Sequence, residues 1–166
     1  MKSTLIMAVA LGGLLFTALA GAQMGGGMGP GMGQGMGRSM MGRGPEGVSI
    51  VRHRFVMANG IDKKYAGKRN PLALTDDNLR AGKALFDTNC VVCHGTSGKG
   101  DGPGAKGLNP APADLTAAIA MPIAGNAYLD WTLSEGGVPV GSAMPPFKAS
   151  LSEEDIWKLV LYLRSL

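Results

Sequence analysis

The chain has few of the side chains that build metal, redox or catalytic sites. Its 166 residues include only two cysteines and two histidines. A structural zinc site needs four protein ligands, so these four side chains suffice only if all of them converge. The sequence also lacks an apolar–polar alternation long enough for a β-sheet, and beyond its N-terminus it lacks any run that could cross a bilayer. These absences favour one all-helical domain with extensions.

The N-terminus has the pattern of a secretory signal peptide. Lys2 precedes an apolar run over residues 5–19, and small residues follow it. Cleavage is expected after Ala20 or Ala22, which makes residues 1–22 the signal and the mature protein periplasmic. The alternative is an uncleaved membrane anchor, although the run is rich in glycine and alanine and is marginal for a span. No cysteine follows it directly, which excludes a lipid anchor there.

Residues 23–44 form an arm rich in methionine and glycine. Methionine recurs at every fourth position: Met24, Met28, Met32, Met36 and Met40. Glycine costs about 1 kcal/mol per helical residue relative to alanine, which argues against a stable helical stripe. The composition favours a flexible linker. The alternative is Cu(I) capture by the soft thioether sulfurs.

Charge divides the mature chain into two parts. Residues 24–70 carry eight Lys/Arg and two Asp/Glu residues, which gives a net charge of +6. Residues 75–166 carry seven Lys/Arg and ten Asp/Glu residues, which gives a net charge of −3. The basic part has no nucleic-acid motif, so no nucleic-acid partner is expected. Its charge favours solubility, or contact with an acidic partner or a membrane surface. Residues 45–74 contain apolar islands and are expected to pack on the domain, with His53 at the surface as is ordinary for histidine in a charged setting.

A helix is predicted from Thr75 to about Asn89. Thr75 can cap its N-terminus, and two aspartates follow in the first turn, where the helix dipole favours negative charge. Leu74 is placed to pack on Leu79 as a hydrophobic staple.

A similar pattern predicts the C-terminal helix. Ser152 is the cap, and Leu151 flanks Ile156 as a second staple. The following apolar residues form one helical stripe: Ile156, Leu159, Val160 and Leu163. A further helix is predicted over residues 126–135, and the glycine- and proline-rich segment before it is expected to be a long functional loop.

Both cysteines lie in the sequence CVVCH, as Cys90 and Cys93 next to His94. A disulfide between them would close a very short loop and stabilise little. A thiol-redox CxxC expects a βαβ context, which is absent, and zinc would need His53 as well. The pattern CxxCH is typical of covalent attachment of a c-type haem, with two thioethers and the adjacent imidazole as proximal iron ligand.

A second axial ligand would come from His53, Met57, Met121 or Met144, all outside the arm. With CVVCH, the following features resemble the class I cytochrome c family over about residues 75–166: Gly82-x-x-x-Phe86, the proline-rich loop, Met144-Pro145 and the terminal LVLYLRSL. The resemblance implies an all-α fold wrapped around a single haem c.

The resemblance also implies roles for single residues. His94 and Met144 would be the axial ligands, and the carbonyl of Pro112, or of the nearby Pro110, would accept a hydrogen bond from the proximal imidazole. Gly82 would lie where the first and last helices cross. Phe86, Leu159 and Tyr162 would pack at that crossing.

His/Met ligation leaves no open iron position and favours one-electron transfer over substrate chemistry. The expected function is a monomeric periplasmic electron carrier, or a cytochrome subunit, that serves an oxidase, reductase, dehydrogenase or respiratory complex and is not an enzyme. Two alternatives remain open at this point. One is a copper-handling protein with an accessory haem, and the other is a haem enzyme with a labile distal ligand.

Overall fold

The computed structural model describes residues 50–166. The predicted signal peptide and the methionine-rich arm lie outside the described residues. Six α-helices follow in chain order: α1 Val51–Asn59, α2 Asp76–Asn89, α3 Val91–His94, α4 Leu115–Ile119, α5 Asn126–Glu135 and α6 Glu153–Leu163. Short 3-10 turns lie at Pro103–Ala105 and Val138–Val140. The described chain contains no strand, as predicted.

Local sequence signals determine where α2 and α6 begin. The Thr75 hydroxyl accepts a hydrogen bond from the Asn78 backbone N–H at 3.2 Å, and the Ser152 hydroxyl accepts one from Asp155 at 3.1 Å. Both predicted caps are therefore confirmed, and acidic residues occupy both first turns. The predicted Leu74 staple is wrong, because that side chain is 70% exposed.

The core lies where α2 crosses α6. Phe86, Leu159 and Val160 are fully buried there, and the Phe86 and Tyr162 rings lie 5.3 Å apart. A Cβ added to Gly82 would collide with the carbonyl oxygen of Lys158 and come within 2.9 Å of the Tyr162 Cβ. The close approach of the two backbones therefore requires glycine at position 82.

Gly82→Ala should destabilise the fold although alanine favours a helix by about 1 kcal/mol. The new methyl group must push α6 away, and overpacking of this kind typically costs about 1–3 kcal/mol. Thermal unfolding of the haem-loaded protein measures the change. Ala84→Gly, at an exposed position of the same helix, is the control. It should lose only the stability that comes from the higher helix propensity of alanine, about 1 kcal/mol. A Gly82→Ala protein as stable as the parent would mean that the crossing is looser than described.

Residues 50–74, here called the strap, pack on α5 and α6. The Phe55 ring stacks on Trp131 at 6.0 Å, and the Asn70 side chain donates to the Trp157 carbonyl at 2.9 Å. Lys68 lies 2.8 Å from Glu153. The strap is therefore held by ring contacts, hydrogen bonds and ion pairs at several points along its length.

Glu135 at the end of α5 makes three polar contacts, two of them with the strap. It accepts a hydrogen bond from the Tyr65 hydroxyl at 2.6 Å, and the ammonium groups of Lys64 and Lys148 lie within 2.7 Å of its oxygens. Hydrogen bonds from the two lysines and Tyr65 lower the pKa of Glu135 to about 2. The ionised carboxylate therefore joins the strap to α5.

Acid should weaken this connection in a defined pH window. Because the pKa of Glu135 falls on folding from 4.5 to about 2, its contribution is complete above pH 4.5 and is lost as the pH falls toward 2. Glu135→Gln should lower the melting temperature at neutral pH. Its melting temperature should also decrease less than that of the parent as the pH falls from 4.5 toward 2. Glu154→Gln, which removes an exposed partner of Lys158, is the control. Equal pH profiles for the parent and Glu135→Gln would contradict this role.

Candidate functional site

A largely apolar cleft opens to solvent beside the core. Its walls come from α1, α3, α5 and the two proline-containing loops. It brings together most of the residues that the sequence singled out, among them Cys90, Cys93, His94, Pro112 and Met144. It also contains Arg52 and His53 of α1, although the sequence predicts a surface position for His53 and no role for Arg52.

Cys90 and Cys93 lie one helical turn apart at the start of α3, so both thiols face the same cleft. Both are free, Cys90 buried and Cys93 partly buried. Burial raises the pKa of the Cys90 thiol to about 12. A redox-active CxxC depends on a lowered thiol pKa, so this environment argues against thiol–disulfide chemistry.

His94, at the end of α3, is held in one orientation. Its Nδ1 lies 3.0 Å from the carbonyl oxygen of Ala113. A carbonyl only accepts hydrogen bonds, so Nδ1 carries the hydrogen and Nε2 keeps its lone pair. Burial lowers the pKa of His94, which keeps the ring neutral. A neutral imidazole with an oriented Nδ1–H and a free Nε2 is the form that binds a metal.

The family resemblance predicts that Pro112, or the nearby Pro110, supplies this carbonyl, but in the structure the hydrogen bond goes to Ala113. Successive carbonyls of an extended segment point in opposite directions, so only one of the two can face His94. The Pro112 carbonyl faces Gly100, where an added Cβ would lie 2.5 Å from its oxygen. Pro112 remains in the cleft wall, as does Pro110.

The glycine-rich loop after His94 packs closely on α3. The Gly100 N–H donates to the His94 carbonyl at 2.9 Å, and the Leu115 N–H donates to the Gly98 carbonyl at 2.7 Å. At Gly102 an added Cβ would lie 2.5 Å from the carbonyl oxygens of Val91 and Val92. Glycine is needed there so that the loop can approach α3 and bring the Ala113 carbonyl to His94.

Met144 lies in the cleft on the loop between α5 and α6. Its carbonyl accepts from the Gly137 N–H at 2.7 Å, and the Phe147 N–H donates to Leu133 at 3.0 Å, so the loop is fixed to the end of α5 on both sides of the methionine. Of the other candidate thioethers, Met57 is 78% exposed. Met121 follows α4 and is not among the described residues that line the cleft.

His53 is buried, and the expected surface position is wrong. Its side chain is 5% exposed, and its Nδ1 lies 3.4 Å from the Tyr128 hydroxyl. The physical reason is that α1 begins without a strong local signal, since Ile50 provides no side-chain cap and the first turn contains no acidic residue. The available signals were Gly60, which ends the helix with a φ of 75°, and the apolar pair Val51 and Phe55 at i and i+4.

No three His, Cys, Asp or Glu side chains within residues 50–166 come close enough together to hold a metal ion by themselves. The four-ligand zinc hypothesis therefore has no site in the part of the chain that was described. Within the same residues, no helix is both long and apolar enough to span a membrane.

The sequence model of the cytochrome c family matches residues 79–166, more than half of the chain. The chain belongs to the cytochrome c family. Cytochrome c-554(547) of Halothiobacillus neapolitanus is 36% identical to it over 89 residues, which are 52% of this chain and 93% of that protein.

Two solved structures resemble this cytochrome. The first is a chain of the Kuenenia stuttgartiensis reducing HAO-like protein complex, with 29% identity and a TM-score of 0.50. The match covers 57% of this chain and 46% of that one, so this cytochrome spans less than half of that chain's length. The second is cytochrome CL of Methylophaga aminisulfidivorans, with 22% identity and a TM-score of 0.39. That match covers 73% of this chain and 70% of the other.

The cofactor of this cytochrome is a covalently bound haem c, and the cleft fits that group. Two free thiols one turn apart, an oriented imidazole and a thioether border the same largely apolar space. Two buried nitrogens in that space, Nη1 of Arg52 and Nε2 of His53, have no hydrogen bond of good geometry with any of residues 50–166. The fold class predicted from the sequence, a small helical class I cytochrome domain, is confirmed.

Proposed function

We propose that this electron-transfer protein is a periplasmic one-electron carrier, or a cytochrome subunit that exchanges electrons with a respiratory complex or dehydrogenase. In this proposal Cys90 and Cys93 would hold the haem through two thioether bonds, and His94 and Met144 would bind its iron. The observation that carries it is a single cleft containing both thiols, an imidazole fixed through Ala113, and the Met144 sulfur.

Haem bound in this cleft supplies a one-electron iron couple. The side chains around it determine how that couple behaves. The Ala113 hydrogen bond fixes the ring plane of His94 and increases its basicity. The thioether of Met144 favours the ferrous state relative to a second imidazole, which raises the potential. The apolar wall limits the access of water and favours the less charged state.

Two protein ligands leave no position for a substrate, which supports a carrier and not an enzyme. Electrons would enter and leave through the open side of the cleft, where a redox partner protein can approach. The predicted signal at residues 1–22 supports export. The likeness to part of a chain from a multi-protein complex supports the subunit form of the proposal, and the donor and acceptor would be proteins in either form.

Carbon monoxide tests whether the ferrous iron is open. The reduced carrier should show no spectral change under carbon monoxide, because both axial positions are filled by the protein. Met144→Ala is the positive control and should bind the gas. Rapid carbon monoxide binding by the parent protein would refute the carrier and favour a haem enzyme with a labile distal ligand.

A further inference from the structure

Arg52 is a cation placed in a cleft without an anion. Its guanidinium lies over the Trp131 ring at 5.2 Å, and its Nη2 lies 3.9 Å from the Met144 sulfur. Its Nη1 is buried and has no hydrogen-bond partner in the part of the chain that the structure describes. Burial lowers the pKa of Arg52, yet arginine remains charged in proteins. A buried positive charge of this kind is costly unless an anion accompanies it.

The described protein supplies no such anion. None of the described residues that line the cleft is an aspartate or glutamate, and none of the ion pairs within residues 50–166 involves Arg52. The aromatic face and the methionine sulfur are weak partners for a guanidinium. The arrangement therefore calls for a negatively charged group that enters the cleft with its ligand.

His53, the next residue on α1, shows the same deficiency. The Tyr128 hydroxyl lies 3.4 Å from its Nδ1 and can donate to it. In that case Nε2 carries the ring hydrogen. The Ala118 backbone carbonyl is near enough to raise the pKa of His53, but no described group makes a hydrogen bond of good geometry with this buried nitrogen. Two neighbouring side chains on one helix thus present unsatisfied donors in the same cleft. Haem c brings two carboxylates, its propionates, on the side of the macrocycle away from the thioether-forming vinyl groups.

We propose that Arg52 and His53 bind the haem propionates, so that a strap outside the family-matched residues 79–166 completes the haem site. α1 lies against the turn at Val138–Val140 and the α5 aromatic rings, whereas the cysteines are at the junction of α2 and α3. The planar guanidinium suits two-point binding of a carboxylate. The proposal depends on haem binding and is independent of the carrier role.

The test compares Arg52→Gln with Arg54→Gln in the haem-loaded mature protein. Arg54 is two residues away on the same helix but exposed, so the control removes an equal charge. Resonance Raman spectra should show the propionate-bending band shifted in Arg52→Gln and unchanged in Arg54→Gln. The midpoint potential should fall in Arg52→Gln, because a cation near the iron favours the ferrous state. Compared with Arg52→Gln, Arg52→Lys should recover part of the midpoint potential. It should not restore the parent position of the propionate-bending band.

A second variant keeps the test decisive if Arg52→Gln loses haem or fails to fold. His53→Phe keeps an aromatic ring beside Tyr128 but removes the Nε2 donor, and it should also shift the propionate band. Propionate bands that stay unchanged in both variants would overturn the proposal. Sulfur ligation gives the ferric protein a weak charge-transfer band at the red end of its visible spectrum, here called the sulfur–iron band. A change confined to that band would also overturn the proposal, since Arg52 would then act only on Met144.

Discussion

Replacing both Cys90 and Cys93 by alanine is expected to abolish covalent haem attachment completely. Thioether bonds require the two sulfurs, and the chain contains no other cysteine. Haem should then be removed by acidic organic extraction, whereas it stays with the parent polypeptide. Each single variant should retain one thioether. The double variant should also lose most of its thermal stability, because haem that is not covalently held can dissociate and leave the apolar wall of the cleft hydrated or collapsed.

Mass spectrometry of the peptide that contains residues 90–94 measures this directly. The parent peptide should carry the mass of one haem, and the double variant should carry none. Val92→Ala, an exposed position between the cysteines, is the matched control and should keep the modification. Covalent haem in the double variant would refute attachment at CVVCH.

Met144→Ala is expected to produce the second large change, in the electronic structure and potential of the iron. Removing the sulfur ligand should eliminate the weak charge-transfer band at the red end of the ferric spectrum. The midpoint potential should fall strongly, since axial ligands set haem potentials over a range of about 0.8 V. The covalent link and the fold should persist, because the cysteines and the α2–α6 crossing are untouched.

Met121→Ala and Met57→Ala are the controls for a nonspecific loss of methionine, and both should keep the band. A band that survives in Met144→Ala would place the sulfur ligand elsewhere. A spectrum that instead changes character when His53 is replaced by alanine would indicate ligation by two histidines, since His53 is also in the cleft.

Features encoded over short sequence distances were predictable. The Thr75 and Ser152 caps each depend on a hydroxyl and a backbone N–H three residues later. Haem attachment at CVVCH and the helix at residues 126–135 were also predictable, because each depends on residues that are adjacent in sequence. The need for glycine at position 82 followed from the family resemblance, which relates two distant helices.

Features that depend on docking between distant segments were not predictable. The choice between Pro112 and Ala113 rests on which carbonyl faces His94, and contact with Gly100 decides it. The burial of His53 depends on α1 packing against Tyr128 and Trp131, many residues away. Leu74 differs from these cases: the local pattern allows a staple, but the side chain is 70% exposed and forms none.

A redox titration of the purified mature protein, followed by visible absorbance, asks directly whether His94 and Met144 bind the iron of an electron-transferring haem. The protein should show a single reversible transition of one electron per chain between six-coordinate forms, with the sulfur–iron band present only in the ferric state. The potential should lie above the range of cytochromes ligated by two histidines. A high-spin spectrum with an open iron position, or a chain without a one-electron transition, would contradict the assignment of His94 and Met144 as ligands of an electron-transferring haem.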